Sequence, residues 1–218
     1  VVGQKIITEK DGYPQLTPDA TMKLGKVNPD WNAGLSMRFR YKQVSLSANF
    51  TAQMGGHAYS VTNFVLAYQG KTKSTLPGRM GGFVVEGVNF VGYEKDKDGN
   101  ITGSIYKKNT TVVDNIQQYY TNYAYKRDNG EGNTFKTDFL KLKELRLDYA
   151  LPKTICKRTK VLRSASIGAY ATNVFCISDW PQFDPETGTL SGTEVHRGIE
   201  TGAMPMTRTY GVNIKLAF

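Results

Sequence analysis

The sequence predicts an all-β chain: antiparallel strands from a transmembrane β-barrel with long outer loops. Three observations predict it. Several segments alternate apolar and polar residues with a period of two, the pattern of strands with one oily and one wet face. Long and short connections alternate between them, as in barrels that keep long loops on one side of the membrane and tight turns on the other. No stretch approaches the ~20 consecutive apolar residues of a spanning helix, and the mean hydropathy is only −0.42.

The elements follow in order, about six strands in all. Residues 1–9 read as a weak first strand already under way and contain no signal peptide; the targeting segment of an exported protein would lie upstream of them. In strand 33–42, Leu35, Met37, Phe39 and Tyr41 alternate with Ser36, Arg38, Arg40 and Lys42. In strand 44–53, Val44, Leu46, Ala48, Phe50 and Ala52 alternate with Ser45, Ser47, Asn49, Thr51 and Gln53. The phase flips at Lys42-Gln43, as a tight hairpin turn requires. Strand 138–151 carries Leu140 and Leu142, then Leu145, Leu147, Tyr149 and Leu151 one residue out of step, which predicts a β-bulge near Lys143-Glu144. Pro152 ends it. Strand 164–173 sets Ala165, Ile167, Ala169 and Ala171 against Ser166, Gly168, Tyr170 and Thr172. Strand 207–218 is the clearest, with Tyr210, Val212, Ile214, Leu216 and Phe218 on one face. The long connections 10–32, 54–137 and 174–206 are then extracellular loops. The second is too long to be structureless. A hairpin is expected within it, 87–93 with 101–107 around Asp98-Gly99, and a short helix over 114–125 that clusters Ile116, Tyr119, Tyr120 and Tyr123.

Cost assigns the faces. A Lys or Arg facing lipid at midplane costs roughly 2–4 kcal/mol, so Arg38, Arg40 and Lys215 belong to the lumen and Leu35, Phe39, Val212 and Ile214 to the lipid. Closed barrels begin at about eight strands. The missing ones must come from the rest of the polypeptide, and the last strand becomes a seam.

Other chemistries find little support. The excess of 28 Lys+Arg over 19 Asp+Glu gives a net charge of +9. The basic residues are spread, the densest groups being Lys141, Lys143, Arg146 and Lys153, Lys157, Arg158, Lys160, Arg163. No nucleic-acid motif accompanies them, and solvated lumen and rim positions are the preferred account. Cys156 and Cys176 form no Cys-x-x-Cys pair, and His57 and His196 lie far from both, so neither a zinc site nor a catalytic group is predicted. Cys156 falls in an inner turn and Cys176 just beyond the outer end of the next strand, so both should be free. Asp96, Asp98, Gly99 and Asn100 hint at a calcium loop. Counting from Glu94, however, the twelfth position is Ile105 rather than the Glu an EF-hand needs, and the segment reads as a turn. No metal and no cofactor is predicted. Tyr59, Tyr68, Tyr119, Tyr120, Tyr123, Trp180 and Phe183 are the candidate substrate contacts, by stacking on sugar rings or peptide side chains; packing the loops together is the preferred account of each.

Six motifs, in order, resemble the C-terminal region of SusC/RagA-family TonB-linked outer-membrane transporters. They are Asn28-Pro29-Asp30-Trp31, the run Gly55-Gly56-His57-Ala58-Tyr59-Ser60, and Phe139-Leu140-Lys141-Leu142-Lys143 leading to Asp148-Tyr149-Ala150-Leu151-Pro152. Asn173-Val174-Phe175, Phe183-Asp184-Pro185 and the closing run from Arg208 to Phe218 complete them. The resemblance covers the chain from about Gly25, the long middle loop only in outline. It implies a ~22-stranded plugged barrel, a SusD-like surface lipoprotein as a lid, and TonB-driven import of oligosaccharides or peptides. The plug and TonB box would lie outside this chain. The terminal aromatic strand, Tyr210, Val212, Ile214, Leu216 and Phe218, resembles an assembly signal. The location implied is the bacterial outer membrane, and the partners are the remaining barrel and plug, the lipoprotein, TonB and the bilayer. A soluble all-β glycan-binding or adhesin module is the competing class, separated by its lack of a detergent requirement.

Overall fold

The computed structural model describes residues 6–17, 22–158, 161–186, 189–191 and 194–218. In chain order its main elements are β1 (Ile6–Thr8), β2 (Trp31–Tyr41), β3 (Val44–Met54), α1 (Val61–Tyr68), β4 (Gly87–Lys95), β5 (Ile101–Lys108), α2 (Ile116–Tyr119), β6 (Phe139–Ala150), α3 (Lys153–Arg158), β7 (Ser164–Ser178) and β8 (Thr209–Ala217). They form two compact units, one of Val1–Leu24 with Tyr59–Thr134, the other of Gly25–Ala58 with Phe135–Phe218.

The second unit is built on one antiparallel sheet of five strands in the order β8-β7-β6-β3-β2. Period-two alternation runs across it in register. Arg38, Ser47, Arg146, Tyr170 and Gly211 make one polar row, and Arg40, Ser45, Asp148, Gly168 and Asn213 the next. Between them, on the opposite face, lies Phe39, Leu46, Leu147, Ala169 and Val212. The apolar face is bare: Phe39, Val212 and Ile214 are 63%, 68% and 66% exposed, far beyond what a monomer's packed core would leave open. Two glycines make room on the polar face. The ring of Tyr170 lies over Gly211, and the side chains of Asp148 and Asn213 meet above Gly168. The β2–β3 hairpin closes with Tyr41 opposite Val44, and Lys42 (φ 53°) takes the left-handed step of its two-residue turn.

The bulge is double. Between Leu142 and Glu144, β6 carries one more residue than β3, and β7 in turn carries one more than β6 at Asn173-Val174. Asn173 has φ 51°, a left-handed conformation that Asn tolerates better than branched residues. Its Nδ2 donates to the Thr207 carbonyl at 2.7 Å. The extra residue turns the alternation over. Leu142 therefore stays on the apolar face between Phe50 and Phe175, whose rings close to 6.5 Å, while Lys141 joins Thr51 and Cys176 on the polar face.

Four expectations are corrected. Residues 6–8 of the weak first strand do not join this sheet; β1 pairs in parallel with β4, Ile6 opposite Gly87, in the other unit, and residues 1–5 lie outside the described set. Five strands therefore make the sheet, not six. β7 runs on to Ser178, so Cys176 lies inside the strand; the bulge interrupts the alternation and hides the continuation. The connection after Pro152 is not a bare turn but holds α3, where the Pro152 carbonyl accepts from the amides of Ile155 and Cys156. Neither cysteine is in a disulfide; Cys156 is buried and Cys176 exposed.

The first unit has a small aromatic core of Tyr13, Val85, Val113, Ile116 and Tyr120. Ser60 caps α1 by accepting from the Asn63 amide at 3.0 Å. α2 continues into a π-turn over Tyr120–Ala124. β4 and β5 form the expected hairpin, closed by Asp96, whose carboxylate accepts from the amides of Asp98 and Asn100 and from the Asn100 side chain. Among the described residues no group of acidic, His and Cys side chains is arranged to hold a metal.

Replacing Asn173 by Val should cost about 1–3 kcal/mol, the price of a β-branched residue in the left-handed region, whereas Asn173→Gly should cost much less. Thermal unfolding of the intact protein in detergent reads the difference, and equal losses would refute the bulge's role.

Candidate functional site

The polar face of the sheet is a charged surface with one dry spot. In the lower part, Arg146 donates two hydrogen bonds to Asp148, at 2.7 and 2.8 Å. With Arg38, Arg40 and Lys215 they line a concave region of about 770 Å³. Above the bulge the surroundings change. Lys141 is only 3% exposed, although sequence alone treats it as a solvated lumen or rim position. That expectation is corrected because the segment after Trp180 folds back onto the strand. The Lys141 ammonium donates to the carboxylates of Asp184 and, at 2.8 Å, Glu186. It also lies 4.9 Å from the Phe139 ring centroid. Lys143 adds a second cation to Glu186 at 2.9 Å. Two lysines from the strand and two carboxylates from the loop thus neutralise one another, the condition for burying charge without a ruinous desolvation cost.

Burial would push the Glu186 carboxyl up, but hydrogen bonds and charge from Lys141 and Lys143 outweigh it and hold it below the ordinary value of 4.5. The Cys176 thiol, inside β7, keeps its place beside this cluster without a partner sulfur.

The seven aromatic candidates separate by environment. Tyr120 is buried and donates to the Pro77 carbonyl at 3.0 Å. Tyr123 stacks on Tyr13 at 4.8 Å, and Tyr119 meets Phe83 edge-on at 4.9 Å. Tyr59 donates to the Arg127 carbonyl at 2.8 Å. Trp180 is buried with its ring edge against Phe135. Only Tyr68 and Phe183 keep about half their surface open, 51% and 50%. Phe183 does so in a left-handed conformation (φ 55°). Tyr119, Tyr120 and Tyr123 are brought together, but as a core. Tyr210, Val212, Ile214 and Leu216 on β8, and Phe218 just past its end, are all exposed.

Sequence reasoning missed Asp184, Glu186 and Arg208 as site residues. The available signal was a lysine on the wet side of a strand together with acids in a Pro-flanked loop, and only the fold could join them.

The architecture defines the class first: an all-β chain whose sheet has one greasy face, one charged face and two edges with no partner strand among the described residues. Comparison then gives the kind of protein it resembles. It is 21% identical over 220 residues to the TonB-dependent receptor P3 of Formosa agariphila, an alignment covering 99% of this chain and 19% of the relative. The fold matches the RagAB peptide importer in its "open-open" state, with TM-score 0.58, 21% identity, and 94% of this chain on 19% of that one. It matches the "closed-closed" state with TM-score 0.60, 20% identity, and 100% of this chain on 21% of that one. The chain spans about a fifth of the length of these proteins. No protein-family model matches it. The chain is thus similar in sequence to one segment of a TonB-dependent receptor and in fold to one segment of the RagAB importer.

Lys141→Met should destabilise the intact protein by about 3–5 kcal/mol, because it strands buried carboxylates; the double change Lys141→Met with Asp184→Asn should recover a good part of this in denaturant titration. Acid should act through Glu186. Its folded value is depressed, so its stabilising contribution is present above the ordinary value of 4.5 and is lost as pH falls through the folded value. Hydrogen exchange of residues 179–186 should rise in that range, and a flat profile would contradict the assignment.

Proposed function

We propose that this chain forms wall and outer loops of a TonB-dependent outer-membrane importer of large nutrients, oligosaccharides or peptides, working with a SusD-like surface lipoprotein. The observation that carries the reading is the sheet itself: greasy and exposed on one side, charged on the other, and with no partner strand at either edge among the described residues. Unpaired edges in lipid cost several kcal/mol per group, so the sheet calls for further strands on both sides, from a barrel of which this chain is one sector. The apolar rows then touch acyl chains, and Arg38, Arg40, Arg146, Asp148 and Lys215 face a hydrated interior shared with a plug. The segment before Trp31 and the connections 55–138 and 179–208 take the outer side, where the lipoprotein partner docks.

In this reading Tyr68 and Phe183 are the aromatic groups still free to stack on substrate, while Tyr59, Tyr119, Tyr120, Tyr123 and Trp180 hold the loops in shape. The strand ending in Tyr210, Val212, Ile214, Leu216 and Phe218 serves as the assembly signal. The protein is a transporter rather than an enzyme, and energy enters through TonB at a region outside this chain.

Uptake of labelled oligosaccharide or peptide by cells carrying the intact protein should collapse on adding a protonophore or deleting TonB; uptake indifferent to both would exclude active import. Within the wall, Ile214→Arg should cost roughly 2–4 kcal/mol and deplete folded protein from outer-membrane fractions, while Asn213→Arg should leave it near normal. Equal depletion would refute the assignment of faces.

A further inference from the structure

A cavity of about 280 Å³ opens beside the Lys141 cluster, and its walls are chemically unequal. On one side Lys141 is already matched by Asp184 and Glu186. On the other lies Arg208, for which no acidic partner occurs among the described residues. Its Nε donates to the Asn173 carbonyl at 3.0 Å. That bond fixes the guanidinium plane and leaves the terminal amines as a preset fork, a geometry matched to carboxylates. The anchor is firm, because Asn173 sits at the bulge in a left-handed conformation with its side chain bonded to Thr207.

The remaining wall is apolar. Phe183 lines the cavity half-exposed at φ 55°, a conformation costly for a bulky residue. Its neighbour Asp184 is locked onto buried Lys141, so the ion pair that closes the loop also holds the ring outward. Met206 adds a polarizable thioether, 3.7 Å from the Lys141 ammonium. A cation fork next to an aromatic ring and a thioether suits a carboxylate with an apolar group on the adjoining carbon. A sugar acid could lay one C–H face on Phe183, but the hydroxyls at its rim would find no polar partner at Met206.

Naming a substrate class for the importer reading above, on which it rests, we propose that this cavity is a subsite for the C-terminal carboxylate of an extended peptide with an apolar last residue. Arg208 receives the carboxylate, Phe183 and Met206 flank the side chain, and the Lys141–Asp184 pair is the positioning device that sets the ring.

The test is calorimetric titration of the intact, detergent-solubilised protein with N-acetyl-Ala-Ala-Phe, the same peptide as its C-terminal amide, and trigalacturonate. The acid should bind about tenfold tighter than the amide, the worth of one charge-assisted hydrogen bond. Arg208→Gln should erase that preference, Arg208→Lys should keep part of it, and Phe183→Ala should weaken acid and amide alike. Equal binding of acid and amide overturns the proposal, as does no binding of either, or Arg208-dependent binding of trigalacturonate alone. The acid–amide comparison uses the unaltered protein, so a variant that fails to fold decides nothing. Failure of the importer reading looks different: uptake indifferent to the protonophore with the acid preference intact.

Discussion

Charge must stay off the greasy side of the sheet, and nearly every feature of the larger unit answers to that constraint. Facing lipid at midplane, as in the proposed barrel, a lysine or arginine costs roughly 2–4 kcal/mol, so a register error of one residue would there expose several such penalties at once. Five strands hold one phase from Met37, Ala48, Leu145, Ala171 and Tyr210 down to Tyr41, Val44, Tyr149, Ile167 and Ile214. The sheet departs from strict alternation in one place. There the extra residue at Lys143, echoed at Asn173-Val174, turns Lys141 inward and leaves Leu142 outside. The bulge corrects phase where a continuous ladder would have put an ammonium on the wrong side.

The same correction builds the site. Once Lys141 points inward, the loop after Trp180 supplies Asp184 and Glu186 to neutralise it, and the strand–loop junction becomes a fixed structure. Asn173, needed for the bulge, also holds Thr207 and orients Arg208. Wall geometry and loop geometry are therefore one problem. A change at the bulge would be felt at the cavity, although bulge and ion pair are separate sets of side chains.

Period two made the strands legible, because it is local. The hairpin at Lys42-Gln43, the slip after Leu142 and the Asp-Gly turn all announce themselves within a few residues. What the sequence hid was non-local. Ile6–Thr8 looks like any short strand, and nothing in it says that its partner is Gly87–Asn89 in parallel. The far half of β7 was lost because a bulge resets the alternation, so Cys176 seemed to lie past the strand's end. Lys141 read as one member of a basic run, since its burial depends on carboxylates more than forty residues away.

Aromatic content alone is a poor guide to recognition in such a chain. Tyr119, Tyr120 and Tyr123 cluster because three residues of one short helical stretch face a common core, and Tyr13 and Phe83 complete that core. Rings that pack one another this way stabilise a loop that has few other apolar residues to bury. A ring available to a ligand needs a reason to stay exposed. At Phe183 the backbone is left-handed beside the Lys141–Asp184 ion pair, and the side chain stays half-exposed. On the proposed reading, recognition falls at the strand–loop junction, where a left-handed backbone, fixed charge and an open aromatic coincide, while the tyrosine-rich segment packs on itself.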